Sequence, residues 1–290
     1  MAIRQTLLIT GASSGIGKEI ASMAAARGHT VIASAPTTAL LTDIPDNASL
    51  KLRLDICDHD SIAQALQQID QADMQLTCLV NNAGYAQPGP IELVDDQRLR
   101  QQFEVNVFGT LAMTRAALPR LRAHASAGHH SLIVTLSSML GLVSTPYQGV
   151  YAASKHALEG AFNALRMELR THHIDVALIQ PGWITTQFLK TAVTHAPEQW
   201  LDHAIYGPPL RTYFAMTAEA ETDKPTGAAK MAAALAGTPQ DVALAVMQAL
   251  ESPRPKAHYP VTAMARWMPR MARMLPSRWW DKMQTEQFSN

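Results

Sequence analysis

The strongest constraint on this chain is a strand, a glycine turn and a helix set within its first residues. Thr6 to Thr10 is a short apolar run of strand formers, Gly11-Ala12-Ser13-Ser14-Gly15-Ile16-Gly17 follows at once, and an alanine-rich helical stretch runs on to Arg27. Such glycines let the backbone approach a pyrophosphate, and the next helix offers unpaired N–H groups and its positive dipole end to phosphates. The spacing is G-x-x-x-G-x-G, a variant of the commoner G-x-G-x-x-G, and the same residues also suit a tight turn with no ligand. A dinucleotide site therefore needs support from the rest of the chain.

That support begins with alternation. Thr30 to Ser34, Leu50 to Leu54, Thr77 to Val80, Ser131 to Leu136 and Ile174 to Gln180 read as further strands, with His258 to Val261 as a last short one. Helical patterns separate them: Asp58 to Gln71 with Asp58 as N-cap or first-turn acid, Asp96 to Leu121, Gln148 to His172, and Pro239 to Leu250 with Thr238 as N-cap. Continuous apolar strands between helices predict an α/β, Rossmann-like, doubly wound parallel sheet in a single domain. Ligands bind such sheets at the strands' carboxyl ends, so the hydroxyls of Ser137 and Ser138 should line the crevice. Asn106 and Gly109 are poor choices for a helix interior. Either Asn106 holds water or kinks the helix, or its side chain caps a local backbone break.

Tyr151-Ala152-Ala153-Ser154-Lys155 puts a phenol and an ammonium on one helical face. A free tyrosine ionises near pH ~10, and a neighbouring cation lowers that value, so Lys155 is expected to bring Tyr151 toward proton exchange at neutral pH. The end of the second strand, Ala35-Pro36-Thr37-Thr38, has neither the acid that accepts the ribose hydroxyls of NAD nor the arginine that meets the phosphate of NADP. The missing acid removes the main repulsion against NADP and Lys18 adds a cation, so NADP is preferred over NAD.

With 24 basic and 24 acidic residues, no net charge draws the chain to nucleic acid or to an anionic membrane. A 47% hydrophobic, 17% charged composition excludes a disordered chain. Cys57 and Cys78, 21 positions apart, are expected to be small buried thiols in a reducing compartment. The adjacent pairs His129-His130 and His172-His173 read as surface residues, and no metal site is expected. The opening residues lack a signal-peptide pattern and no window is apolar enough to span a bilayer, which makes a soluble cytoplasmic protein the default.

Residues 183–230 lack a clean period and mix aromatics with Pro208-Pro209. A long insertion after a strand's carboxyl end is the usual place for a substrate lid. The tail, residues 262–290, is basic and rich in Met and Trp; residues 251–290 carry seven Lys or Arg against three acids. Its composition suits a membrane surface. Because Pro269 and Pro276 interrupt it, a tail packed over the pocket or at a subunit interface is the favoured expectation.

Together these residues resemble the short-chain dehydrogenase/reductase family. The matching motifs are Thr10 to Gly17, Asn81-Asn82-Ala83-Gly84, Asn106, Ser138, Tyr151-x-x-x-Lys155 and Pro181-Gly182 with Thr186, in the family's order and spacing. The fuller stretches Asn81 to Pro119 and Tyr147 to Thr186, with Tyr259-Pro260-Val261, look most like the branch of 17β-hydroxysteroid and retinol dehydrogenases. The resemblance implies an NADP- or NAD-dependent oxidoreductase for a hydrophobic alcohol or carbonyl substrate, of steroid, retinoid or lipid type, within a domain spanning residues 1–261. It implies Tyr151 as acid or base, Lys155 as its partner and as a ligand of the nicotinamide ribose, Ser138 at the substrate oxygen, and Asn106 as anchor of a proton-relay water. Gly11, Ser13, Gly15, Ile16 and Gly17, with Ser14 among them, would cradle the pyrophosphate; Asp55 and Ile56 the adenine. Asn82 and Ala83, beside Gly84, would take the adenosine side, and Ile184 and Thr186, after Pro181 and Gly182, the carboxamide. It further implies a homodimer or homotetramer. The alternative, a non-catalytic dinucleotide-binding redox sensor, is expected to have lost Tyr151, Lys155 or Ser138, and all three are present.

Overall fold

The computed structural model describes residues 4–185, 196–219, 234–286 and 288. Seven strands run parallel: β1 (Thr6–Ile9), β2 (Thr30–Ala35), β3 (Leu50–Arg53), β4 (Cys78–Asn81), β5 (Ser131–Leu136), β6 (Ile174–Gln180) and β7 (His258–Pro260). Their order is β3-β2-β1-β4-β5-β6-β7, so the chain crosses over between β3 and β4 and leaves a switch point beside β1. The central strands are buried along their whole length because helices cover both faces. On one face α1 (Gly15–Ala26) and α7 (Pro239–Leu250) pack on Leu7, Ile9, Val80, Val134 and Ile179. On the other, α2 (His59–Gln71), α4 (Thr110–Ser126) and α5 (Gly149–Glu168) enclose Leu8, Ile32, Leu79, Ile133 and Leu178, with Phe162 wholly buried among them.

Local signals set the helix starts. Asp58 accepts N–H bonds from Asp60 and Ser61 at the head of α2, and Thr238 and Asp241 form a reciprocal capping box ahead of Pro239. The stretch from 96 to 126 is helical throughout, as α3 (Asp96–Phe103), a wider turn over Glu104–Gly109, and α4. Gly109 sits in that wider turn because a Cβ there would lie 2.9 Å from the Ile56 carbonyl oxygen.

Three expectations change. Cys57 is exposed, since it lies in the loop after β3 and not in the sheet, whereas Cys78 in β4 is buried; both are free thiols. The insertion after β6 holds a regular helix, α6 (Gly207–Glu219), whose first turn takes Pro208 and Pro209 where no helical N–H bond is lost. Pro269 does not interrupt the tail, because α8 (Ala263–Met274) runs through it and buries its ring; Pro276 separates α8 from α9 (Ser277–Glu286).

Two loops at the carboxyl edge are locked by one hydroxyl. Thr10 Oγ1 accepts the N–H bonds of Asn82 and Ala83, each at 3.0 Å, and so ties the end of β1 to the end of β4. Thr10→Val keeps the shape and strands both donors. Its unfolding free energy in urea should fall by about 2 kcal/mol, and an unchanged midpoint would show that the lock carries no weight.

Candidate active site

The glycine turn, the loop after β4, the end of β5 and the start of α5 meet at the switch point. Gly11 and Gly15 take left-handed φ values of 66° and 52°, which residues with a Cβ adopt only under strain. At Gly17 a Cβ would stand 2.3 Å from the Gly11 carbonyl oxygen and 2.4 Å from Asn82 Nδ2. The Asn82 amide itself donates to the carbonyls of Thr10 and Gly11, at 2.9 Å each. Ser14 caps α1 without a side-chain bond to it, and Ser13, Ser14 and Gly15 are open to solvent in part or in full. The first-turn N–H groups thus keep no side-chain acceptor, and this cradle fits a pyrophosphate. Asp55 holds the Cys57 N–H at 3.0 Å, and Ile56 is packed beneath Gly109.

Asn106 braces the backbone. Its Oδ1 accepts from Tyr85 N–H at 3.0 Å, and its Nδ2 donates to the Tyr85 carbonyl at 3.0 Å and to Ser154 Oγ at 3.1 Å. Ser154 Oγ in turn donates to the Tyr151 carbonyl at 2.7 Å, so one amide joins the loop after β4 to the helix that carries Tyr151. Gly84 permits this: a Cβ there would be 3.0 Å from Asn106 Oδ1.

Ser138, Tyr151 and Lys155 are all buried and come together at the end of β5. Burial pushes the Tyr151 phenol up to about 12, and a hydrogen bond with Ser138 works against that rise. This reverses the downward shift expected from Lys155. The reason is geometric: Lys155 Nζ donates to the Leu136 carbonyl at 2.7 Å and stands 5.7 Å from the tyrosine ring centre, and burial lowers the ammonium itself to about 8.

One turn further along α5 lies Glu159, a buried acid whose charge opposes that lowering. Its Oε1 accepts from Gln180 Nε2 at 2.9 Å, and its Oε2 is 3.7 Å from His258 Nε2. Sequence reasoning passed over Glu159, although its position four residues after Lys155 signals a shared face.

After β6, the Pro181 carbonyl accepts the Met139 N–H at 2.8 Å, Gly182 fits tightly against Thr262, and Ile184 bridges to Gly237. Thr186 lies outside the described residues. An apolar wall stands beside Tyr151: Ala86, Met139, Leu140 and Val143 meet Met264, Ala265, Met268 and Trp280 of the tail. The insertion closes the neighbouring side, where Trp200 lies over Gly89 and Tyr213 accepts a hydrogen bond from Gln148. Phe288 stacks edge-on against Tyr147, ring centres 5.4 Å apart, and also touches Tyr213, so tail and insertion meet.

A family model described as short chain dehydrogenase matches residues 5–197. An uncharacterized oxidoreductase of Escherichia coli, YbbO, is 33% identical over 282 residues, 97% of this chain and 94% of that protein. An NADPH-dependent 3-dehydrocapnine reductase of Ornithobacterium rhinotracheale is 37% identical over 62% of this chain and 65% of its own length. Human retinol dehydrogenase 8 is 34% identical over 63% and 60%. A solved short-chain dehydrogenase from Streptomyces avermitilis superposes with a TM-score of 0.73 at 27% identity, over 99% of this chain and 97% of that one.

The buried ammonium has a consequence for stability. Unfolded, Lys155 titrates near 10.5; folded, near 8. Between these values the unfolded chain holds a proton that the fold has released, so this residue's penalty is complete below pH 8 and disappears as pH rises toward 10.5. Lys155→Met should therefore stabilise the cofactor-free protein at pH ~7 by about 2 kcal/mol, after allowance for the bond lost to Leu136. The gain should vanish at high pH. Denaturant melts across pH check both parts, and equal stability at neutral pH would refute the assignment.

Proposed function

The chain belongs to the short-chain dehydrogenase family, near its retinol dehydrogenase-like members, and is an oxidoreductase. From that premise we propose that it moves hydride between NADP(H) and an apolar carbonyl or alcohol, with Tyr151 as acid and base. The observation that carries this reading is the buried pairing of Ser138 with Tyr151 beside an apolar wall, opposite a glycine cradle with uncapped helix N–H groups.

The backbone of Gly11, Ser13, Ser14, Gly15, Ile16 and Gly17 would hold the pyrophosphate; Asp55 and Ile56 would border the adenine. Asn82, Ala83 and Gly84 would flank the adenosine, and Pro181, Gly182, Ile184 and Thr186 the carboxamide. The bound nicotinamide supplies or accepts the hydride. Ser138 Oγ donates to the substrate oxygen and favours the negative charge that develops there. Tyr151 then gives that oxygen its proton. A phenol held near 12 is fully protonated at neutral pH, which is the form reduction requires, and an alkoxide is basic enough to take the proton. Lys155, which donates to the Leu136 carbonyl and stands 5.7 Å from the Tyr151 ring centre, would replace the proton lost by Tyr151 through an intervening water and be resupplied from solvent by a water anchored at Asn106. Its value near 8 leaves a releasable proton at neutral pH.

NADP(H) is preferred over NAD(H). Pro36, Thr37 and Thr38 are exposed at the end of β2 without an acid, Arg53 pairs in register with Ala35, and the Ornithobacterium relative is named for NADPH. For substrate, the wall of Met139, Leu140, Val143, Met264 and Met268 suits a lipid-, retinoid- or steroid-like carbonyl compound. In this reading residues 1–261 form the catalytic domain, residues 183–230 its lid, and the tail supplies part of the pocket.

Titration of NADPH and NADH by nicotinamide fluorescence, then turnover against long-chain aldehydes and ketones, tests the proposal. NADPH should bind more tightly and be consumed. Tyr151→Phe should retain NADPH binding and the melting temperature while losing turnover by roughly a thousandfold. A wild-type protein that binds cofactor and turns over nothing on a broad panel would favour the redox sensor.

A further inference from the structure

The tail has two apolar faces, and the pocket uses only one. Met264, Ala265, Met268 and Ala272 of α8 and Trp280 of α9 turn inward to the wall beside Tyr151. Outward, Trp267 is 61% exposed, Met271 43% and Met274 83%, at helical spacings that align them in one stripe. Arg266, Arg270 and Arg273, all exposed, repeat the same spacing one residue earlier and form a parallel stripe, with Arg270 over the Trp267 ring at 5.4 Å. The pattern recurs in α9, where Trp279 at 73% and Met283 at 42% exposure run beside Arg278 and Lys282. No acid occurs in α8, and the two helices carry five Lys or Arg against Asp281 and Glu286.

We propose that this outward face of α8 and α9 docks on an anionic lipid bilayer. Contiguous exposed Trp and Met require a partner, since soluble proteins scatter such residues singly. Trp and Met with adjacent Arg is the composition of a helix that lies in a membrane interface, rings at headgroup depth and guanidinium groups at lipid phosphates. At 12 and 10 residues the helices are too short to cross, and no described helix is long and apolar enough to do so. A second copy of the chain is a poorer fit: an isologous contact would set the arginine stripe against itself. The remainder of the chain, which balances the tail's positive charge, leaves that attraction local to this face. One helix would thereby touch lipid on one side and the pocket on the other, giving an apolar substrate a dry path.

The test uses full-length protein and vesicle flotation, with phosphatidylcholine alone or mixed in equal parts with phosphatidylserine, at low and high salt. The protein should float with the mixed vesicles at low salt and stay behind with the neutral ones. Arg266→Gln, Arg270→Gln and Arg273→Gln together should weaken partitioning by roughly a hundredfold, and Trp267→Ser with Trp279→Ser should remove the blue shift of tryptophan fluorescence on binding. All these positions are exposed, and unchanged melting and NADPH titration would confirm intact folding. Wild type that ignores anionic vesicles overturns the proposal, as does a triple variant that floats unchanged. A concentration-dependent dimer abolished by the tryptophan substitutions would overturn it in favour of a subunit interface. Flotation is read without turnover, so this result stands apart from the redox assignment.

Discussion

Every group of chemical interest here lies at one edge because all seven strands point the same way. With both faces covered by helices, the ends of the strands are where loops and side chains can gather, and at the carboxyl end they meet the starts of the following helices. The reversal of strand order beside β1 then separates α1 from the helices that follow β4 and β5. The gap is kept open by Thr10, whose hydroxyl joins β1 to β4, and by glycines at positions 11, 15 and 17. Loss of that opening would leave the same fold with nowhere to place a nucleotide.

Within the gap, the dominant force on the ionisable groups is desolvation. Tyr151 and Lys155 are each pushed toward their neutral forms, and the compensating contacts, from Ser138 and Glu159, are partial. The fold keeps the phenol protonated by denying it water, at a cost in stability carried by the surrounding hydrophobic faces. Glu159 belongs to that balance from behind Lys155, linked through Gln180 to β6 and facing His258 at the surface.

Much of this was legible in the chain. The strands fall within a residue or two of where apolar runs place them, Asp58 and Thr238 cap the helices their chemistry suits, and the motif residues converge on one edge. What was not legible depends on contacts far apart in sequence. Lys155 turns toward Leu136 and not onto the phenol, which periodicity cannot reveal. For Asn106 the sequence offers holding water, kinking the helix or capping a local backbone break, and it cannot show the side-chain bonds to Tyr85 and Ser154, 21 and 48 residues away, that tie two distant segments together. Pro269 reads as an interruption because propensity counts the lost hydrogen bond but not the burial of its ring. Thr186 lies outside the described residues, and its place at the site rests on the motif alone.

Phe288 reaches back to Tyr147 and Tyr213, so the roof of the pocket is drawn from residues made after every strand of the sheet. During synthesis the amino-terminal part emerges first. The nucleotide cradle and the end of β5 can therefore assemble while the tail is still being polymerised, and the apolar wall is completed last. Until the tail is made, Met139, Leu140 and Val143 lack their partners Met264, Ala265 and Met268. The last residues of the chain therefore decide whether that patch of apolar side chains is covered, so loss of the tail leaves the sheet whole and the wall bare.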